Sequence, residues 1–157
     1  MYKQTIVISL GGSLVVPDQI NAKYLKLFRH LLISYIRRGW RFILIVGGGK
    51  TARRYQQAAS QVTRTGQDDL DWLGIHSTRL NGHLMRTIFR EYAYPVLITS
   101  MRKVNLKTAK PVIVAAGFVP GSSTDLRAVQ LASVYRSTTV LNLSNIDWVY
   151  TQDPAKY

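Results

Sequence analysis

The first apolar run of the chain is short and unbroken, Thr5-Ile6-Val7-Ile8-Ser9-Leu10, and it ends on Gly11-Gly12-Ser13. β-Branched residues in a run of this length, closed by glycines, predict a buried strand that runs into a backbone loop. The period then changes. Between residues 24 and 36 the apolar positions Tyr24, Leu25, Leu27, Phe28, Leu31, Leu32, Tyr35 and Ile36 recur at helical spacing, with Lys23, Lys26, Arg29 and Arg37 between or beside them. Gly39 supplies a stop for that helix. Phe42-Ile43-Leu44-Ile45-Val46 reads as a second buried strand, followed by Gly47-Gly48-Gly49-Lys50 and a helical stretch over residues 51–62.

A polar stretch over residues 63–69 predicts a loop, and residues 70–92 a long helix with apolar positions at Leu73, Leu80, Leu84 and Ile88. After Pro95, Val96-Leu97-Ile98 predicts a strand. Pro111-Val112-Ile113-Val114-Ala115-Ala116 predicts another, leading into a small-residue loop over residues 117–124 and a helix from about Asp125. Residues 138–143 form the last clear strand. Strands that alternate with helices predict an α/β fold with a mainly parallel sheet, as a three-layer α/β/α sandwich. With no internal repeat, low-complexity segment or linker, residues 1–157 read as one domain.

Composition narrows the class. The 157 residues are 46% apolar, enough to bury a core. Apolar runs stop far short of the roughly 20 residues of a membrane span, and no leader pattern opens the chain, so the expectation is a cytoplasmic protein without membrane partners. There is no cysteine, which excludes disulfides and thiolate metal sites. His30, His76 and His83 lack partners at ligand spacing, so no metal site is expected from protein side chains. The net charge of +13, from 21 Lys+Arg against 8 Asp+Glu, favours polyanions: nucleic acid, acidic membrane or phosphorylated metabolites. It is spread evenly along the chain, without a basic tail.

Candidate chemistry collects in three loops that leave the C-terminal ends of presumed parallel strands: Gly11-Gly12-Ser13, Gly47-Gly48-Gly49-Lys50 and residues 117–124. Ligands of open α/β sheets bind at that edge. Glycines there let phosphate oxygens approach backbone N–H groups, and they equally serve tight turns. Lys50 and Arg53 lie one helical turn apart, placed either to face one phosphate or to be solvated charges. Neither the G-x-x-x-x-G-K-[ST] loop nor the G-x-G-x-x-G fingerprint is present.

Taken in order, these residues resemble the archaeal-type branch of UMP kinases within the amino acid kinase superfamily, which also includes aspartate and glutamate kinases. Ile8-Ser9-Leu10-Gly11-Gly12-Ser13 is similar to the opening strand and ATP-phosphate loop, and Val46 to Arg53 to the GGGK-x-AR element. Asp71-Trp72-Leu73-Gly74-Ile75 with Thr78-Arg79-Leu80-Asn81 resembles the acceptor-side helix. Pro120-Gly121-Ser122-Ser123-Thr124-Asp125 matches P-G-x-[ST]-T-D, and Asn145 to Pro154 matches N-x-D-G-V-Y-x-x-D-P except for Trp148 in place of the glycine. Many superfamily members carry a lysine where this chain has Ser9.

The resemblance implies transfer of the ATP γ-phosphoryl group to UMP, giving UDP for pyrimidine nucleotide biosynthesis, with Mg²⁺ and in a homo-oligomer, a hexamer in the family. It implies Gly48 at the UMP phosphate, Gly49 and Arg53 at the ATP phosphates beside Gly11, Gly12 and Ser13, and Asp71 at the ribose hydroxyls. Phe118, Val119, Pro120, Gly121, Ser122, Ser123 and Thr124 would wrap the acceptor, while Ser144, Tyr150 and Asp153 would touch the ATP nucleoside. The acceptor is already an anionic phosphate, so catalysis reduces to positioning and charge stabilisation by Lys50, Arg53 and backbone N–H groups, with Asp125 orienting a cationic side chain.

Family members continue past the D-P element, so the expectation for this chain is the N-terminal, acceptor-binding part of such a domain. A UMP-binding module with weak or no turnover, and an isopentenyl phosphate or amino acid kinase, are the alternatives. Nucleic acid is not an expected partner, because no RNP-type element or GXXG clamp is present.

Overall fold

The structure is a computed structural model that describes residues 2–146. Four strands, β1 (Gln4–Leu10), β2 (Trp40–Val46), β3 (Val112–Ala115) and β4 (Thr139–Leu143), form one sheet in the order β3-β2-β1-β4, and every pairing is parallel. Five α-helices accompany them: α1 (Gly12–Val15), α2 (Ala22–Ile36), α3 (Gly49–Val62), α4 (Gln67–Ile88) and α5 (Thr124–Val134).

Side chains alternate across a strand, so a strand buried on both faces supplies two cores at once. Ile6, Ile8, Leu10, Phe42, Leu44 and Val46 face one core with Leu25, Phe28 and Leu32 of α2 and Met85 of α4. Val7, Ile43, Ile45 and Ile113 face the other, with Ala128 and Leu131 of α5. This is the expected α/β/α layering. α3 buries none of its residues fully and lies outside, packed along α4.

The chain starts in the middle of the sheet. From β1 it moves outward through β2 to β3, then crosses back to lay β4 on the opposite side of β1. The crossover makes the C-terminal end of β1 the switch point, where loops diverge to either side and leave a crevice. Gly11 and Gly12 stand at that point.

Three expectations change in detail. Gly12-Ser13 begins the single helical turn α1 rather than an open loop, held by Val16 N–H donating to Gly12 O at 2.7 Å. The long helix runs Gln67–Ile88, starting and ending earlier than the apolar spacing indicated, because Asp68 and Asp69 complement the helix N-terminus and extend its first turn. Val96-Leu97-Ile98 is not a full strand. Only two isolated parallel bridges, Ala93 to Val112 and Ile98 to Ala115, join this segment to β3. Pro95 between them has no N–H to donate to a ladder.

Candidate functional site

The loops leaving β1 and β2 meet backbone against backbone. A Cβ on Gly12 would lie 2.0 Å from Gly49 N, and one on Gly47 would lie 2.6 Å from Gly12 N. Gly49 also has φ +63, a left-handed conformation that strains any other residue. The glycines are therefore required for the two loops to interlock. Gly48 and Gly49 open α3; the Lys50 amide donates to Val16 O at 3.0 Å, and the neighbouring first-turn N–H groups, which lack an intrahelical acceptor, can meet an anion.

Asn81 supports this turn from behind. It is buried, at 3% exposure, and its Nδ2 donates to Gly47 O at 2.9 Å and Gly48 O at 3.1 Å. Those two carbonyls thus point away from the anion side of the loop. Its packing neighbour Gly82 lets α4 close on the sheet, since a Cβ there would sit 2.9 Å from Ala116 Cβ.

The residues expected at the acceptor gather in one cleft of about 470 Å³ between the start of α4 and the loop after β3. Asp71, Phe118, Val119, Pro120, Gly121, Ser122, Ser123 and Thr124 all line it. Asp71 is the tie across its mouth: Oδ2 accepts from Gly121 N at 2.7 Å and Oδ1 from Gln67 Nε2 at 2.8 Å. The Gly121 amide, then the Gln67 amide, hold the carboxyl below the ordinary carboxylate range. Two carboxylate oxygens carry about four lone-pair sites, so this tie leaves room for further hydroxyl donors. On the loop itself, Gly117 has φ +51 and its carbonyl accepts from Arg79 Nε at 2.9 Å.

Thr78 of the motif that resembles the acceptor-side helix lines the cleft as well, and sequence reasoning missed Gln56, Gln67 and Arg127, which also line it. Arg127 is the one cation of that lining. Its guanidinium lies 5.1 Å from the Phe118 ring centroid, with Nε on Ser122 Oγ at 2.6 Å and Nη1 on Gln130 Oε1 at 2.7 Å. No motif marked Gln56, Gln67 or Arg127, although Arg127 stands two places after the recognised Asp125. A larger groove of about 630 Å³ opens beside α2, lined by Leu27, Leu31 and Leu141, but it has no charged lining residue and stands apart from the glycine loops.

The donor side differs from expectation in its partners. Lys50 Nζ is paired with Asp18 Oδ1 at 2.8 Å, an oxygen that also takes Arg54 Nη2 at 2.7 Å. Lys50, first by its hydrogen bond, pulls the Asp18 carboxyl below its ordinary value. Arg53 is exposed, one residue before the paired Arg54. Asp125 was expected to orient a cation; instead its Oδ1 accepts from the Ser9 hydroxyl at 2.7 Å. The reason is register: Ser9 alternates with Val7 toward the α5 face, and α5 begins at Thr124. Ser13 Oγ donates to Asn145 Oδ1 at 2.6 Å, and Gly11 N to Leu143 O at 2.8 Å, which brings the β1 and β4 ends together beside exposed Ser144. Tyr150 and Asp153 lie outside the described residues.

Residues 4–157 match the amino acid kinase family. The chain is 37% identical over 154 residues to the uridylate kinase of Methanocorpusculum labreanum, covering 96% of this chain and 64% of that protein. It is 35% identical over 152 residues to the uridylate kinase of Thermococcus sibiricus, covering 96% and 67%. The chain thus spans about two thirds of the length of the curated relatives it matches. Among solved structures, the uridylate kinase from Archaeoglobus fulgidus superposes with TM-score 0.70 at 29% identity, covering 95% of this chain and 67% of that one. An aspartate kinase from Synechocystis superposes with TM-score 0.76 at 16% identity, over 96% of this chain and 30% of that one, a likeness of fold alone.

Proposed function

The chain belongs to the amino acid kinase family, and from that premise we propose that it is the acceptor-binding part of a UMP kinase, which transfers the γ-phosphoryl group of ATP to UMP. The observation that carries this reading is the Asp71 cleft. One carboxylate faces the loop 117–124 across the cleft, at the C-terminal edge of the sheet where the glycine loops also stand. Asp71 takes the ribose hydroxyls with its remaining lone pairs. Gly48 receives the acceptor phosphate, and Gly49 with Arg53 the donor phosphates, beside Gly11, Gly12 and Ser13. Ser144, Tyr150 and Asp153 serve the ATP nucleoside.

Because the acceptor oxygen is anionic, no side chain has to remove a proton from it. Lys50 and Arg53 offset charge on the transferring group, and Lys50 does so by exchanging Asp18 for phosphate. Asp125 is held by Ser9 and sets the start of α5 against the phosphate edge. Among the described residues no group of three His, Cys, Asp or Glu stands ready for a metal, so in this reading Mg²⁺ is held by the ATP phosphates, whose charge it neutralises when bound. No described helix is long and apolar enough to cross a membrane. A cytoplasmic homo-oligomer, hexameric as in the family, acting in pyrimidine nucleotide biosynthesis, completes the proposal.

A coupled assay of ADP formation with UMP, CMP and AMP tests it, together with calorimetry of UMP binding. Turnover with UMP preferred over the other acceptors is the expected result. Saturable UMP binding without turnover would instead identify a binding module, the reading favoured by Ser9 at the lysine position. Preference for a non-nucleotide acceptor, such as isopentenyl phosphate or an amino acid, would overturn the assignment.

A further inference from the structure

Charge that is evenly spread along the sequence is not evenly spread in space. The opposite end of the sheet, where the strands begin, collects cations from five separate segments. Lys3 N donates to Gly39 O at 2.9 Å, which sets Lys3 beside Arg37, Arg38 and Arg41. Phe42 N donates to Pro111 O at 2.8 Å and the Tyr2 hydroxyl to Ala109 O, bringing Lys107 and Lys110 to the same end. Lys110 Nζ reaches Glu91 O at 3.0 Å and Arg86 Nη1 reaches Pro95 O at 3.3 Å, so the last turn of α4 and Arg90 join them. Ser137 Oγ donates to Thr5 O at 2.7 Å, which adds Arg136.

Glu91 is the one acid of this end among the described residues, whereas Asp18 pairs with Lys50, Asp68 and Asp69 stand in the first turn of α4, Asp71 holds Gly121 and Asp125 holds Ser9, all toward the glycine-loop edge. Most of these cations are exposed, and none of those named at this end has a carboxylate partner within the ion-pair distance.

Half-buried aromatic rings interleave with the charges. Arg38 lies 5.2 Å over Tyr35, whose ring centroid is 4.7 Å from that of Trp40. Arg41, at 9% exposure, lies between Tyr2 at 5.3 Å and Tyr135 at 4.9 Å, and its Nε and Nη2 find no acceptor in the protein. Arg41 is buried and serves to hold these rings in place, whereas exposed Arg37 and Arg38 offer forks to phosphate oxygens, and the half-buried Tyr35 and Trp40 rings offer unpaired bases a stacking surface. Tyr and Trp rings also suit a membrane interface, and exposed Leu27 and Leu31 of α2 open on the groove that Tyr35 and Trp40 line. The cations, however, come from five segments around the strand starts rather than along one amphipathic helix, the arrangement that enters a bilayer.

We propose that this pole of the sheet is a docking surface for single-stranded RNA, on the side of the molecule away from the nucleotide cleft. Phosphates sit along the arginine and lysine side chains, and one or two bases stack at Tyr35 and Trp40. The inference does not rest on the UMP kinase reading, and the two fail separately.

The probe is a fluorescently labelled oligoadenylate of about 20 nucleotides, followed by anisotropy with saturating UMP present. About six phosphate contacts would give a slope of log affinity against log salt near −4. Arg37→Glu, Arg38→Glu, Lys107→Glu and Lys110→Glu together should weaken binding by tenfold or more, on the order expected for lost phosphate contacts, while calorimetric UMP binding is unchanged. Lys23→Glu, Lys26→Glu, Arg64→Glu and Arg102→Glu together change the net charge equally but lie elsewhere, and should weaken binding by no more than about threefold. Trp40→Phe should abolish any quenching of tryptophan fluorescence by the RNA.

Equal losses in the two charge-reversed proteins would show that net charge alone is responsible and would overturn the proposal. So would binding to phosphatidylserine vesicles with no binding to RNA. Unchanged circular dichroism in each variant separates these outcomes from unfolding.

Discussion

The two loop regions at the C-terminal edge of the sheet are built on different principles. At the ends of β1 and β2, Gly12, Gly47 and Gly49 interlock with no side chain between them. After β3, the loop 117–124 is tied to α4 by side chains, Asp71 to Gly121 and Arg79 to Gly117. A backbone interlock has one geometry and tolerates no added atom. A side-chain tie exchanges partners, so it can loosen and re-form around a substrate. In the proposed kinase the rigid region would hold phosphates, whose positions decide in-line transfer, and the adjustable region a nucleoside that must enter and leave.

The sharpest way to break this contrast is to add one methyl group to each region. Gly12→Ala places its Cβ 2.0 Å from Gly49 N, and should cost about 3 kcal/mol or more, or prevent folding. Gly121→Ala meets no atom within 4 Å and is opposed only by φ +69, a cost of about 1–2 kcal/mol. Urea denaturation of the two proteins measures the difference, and equal costs would refute the distinction. Next in size is Asn81→Ala, which leaves the Gly47 and Gly48 carbonyls without their donor in a buried site and should cost about 1–3 kcal/mol. Asn81→Asp should not restore it, since a carboxylate cannot donate.

Asp71→Asn keeps the shape of the acceptor tie but loses the charge. UMP affinity in calorimetry should fall about tenfold, while thermal stability changes little. Its pH dependence has a definite sign. The folded-state pKa is depressed, so the tie is complete above the ordinary carboxylate pKa and is lost as pH falls through the lowered value. The Gly121 amide resonance, followed by NMR through acid titration, should report that loss and should be flat in Asp71→Asn. The smallest effect belongs to Asp18→Asn, which releases Lys50 and Arg54 from exposed pairs. Stability should stay within experimental error, and any gain should appear as tighter ATP binding.

Much of the fold was legible in the chain because strand burial and helix amphipathicity are local patterns. Val7, Ile43 and Ile113 announce themselves in their own runs, and α2 is visible from Leu25, Phe28 and Leu32. The glycine loops and the P-G-S-S-T-D element were legible as motifs. The Ser9 to Asp125 hydrogen bond was not, since it spans 116 positions and depends on which face of β1 meets α5. Nor was Arg127 in the cleft, where an arginine on a short helix looked like any surface cation. The Val96 segment misled because apolar β-branched residues mark burial, while a ladder also needs the N–H that Pro95 lacks.

By itself the sequence determined the alternation of strand and helix, the glycines at the ends of β1 and β2, and the family to which they belong. These follow from the period of burial and from short motifs, each confined to a few consecutive residues. Only the tertiary structure decided that Asp71 is the tie across the cleft between α4 and the loop after β3, that Lys50 is paired with Asp18, and that nine cations from five segments meet at the far end of the sheet. Each of these depends on the order β3-β2-β1-β4, which brings together residues far apart in the chain. Hydrogen bonds and electric fields depend on distance in space, so a one-dimensional pattern does not contain them.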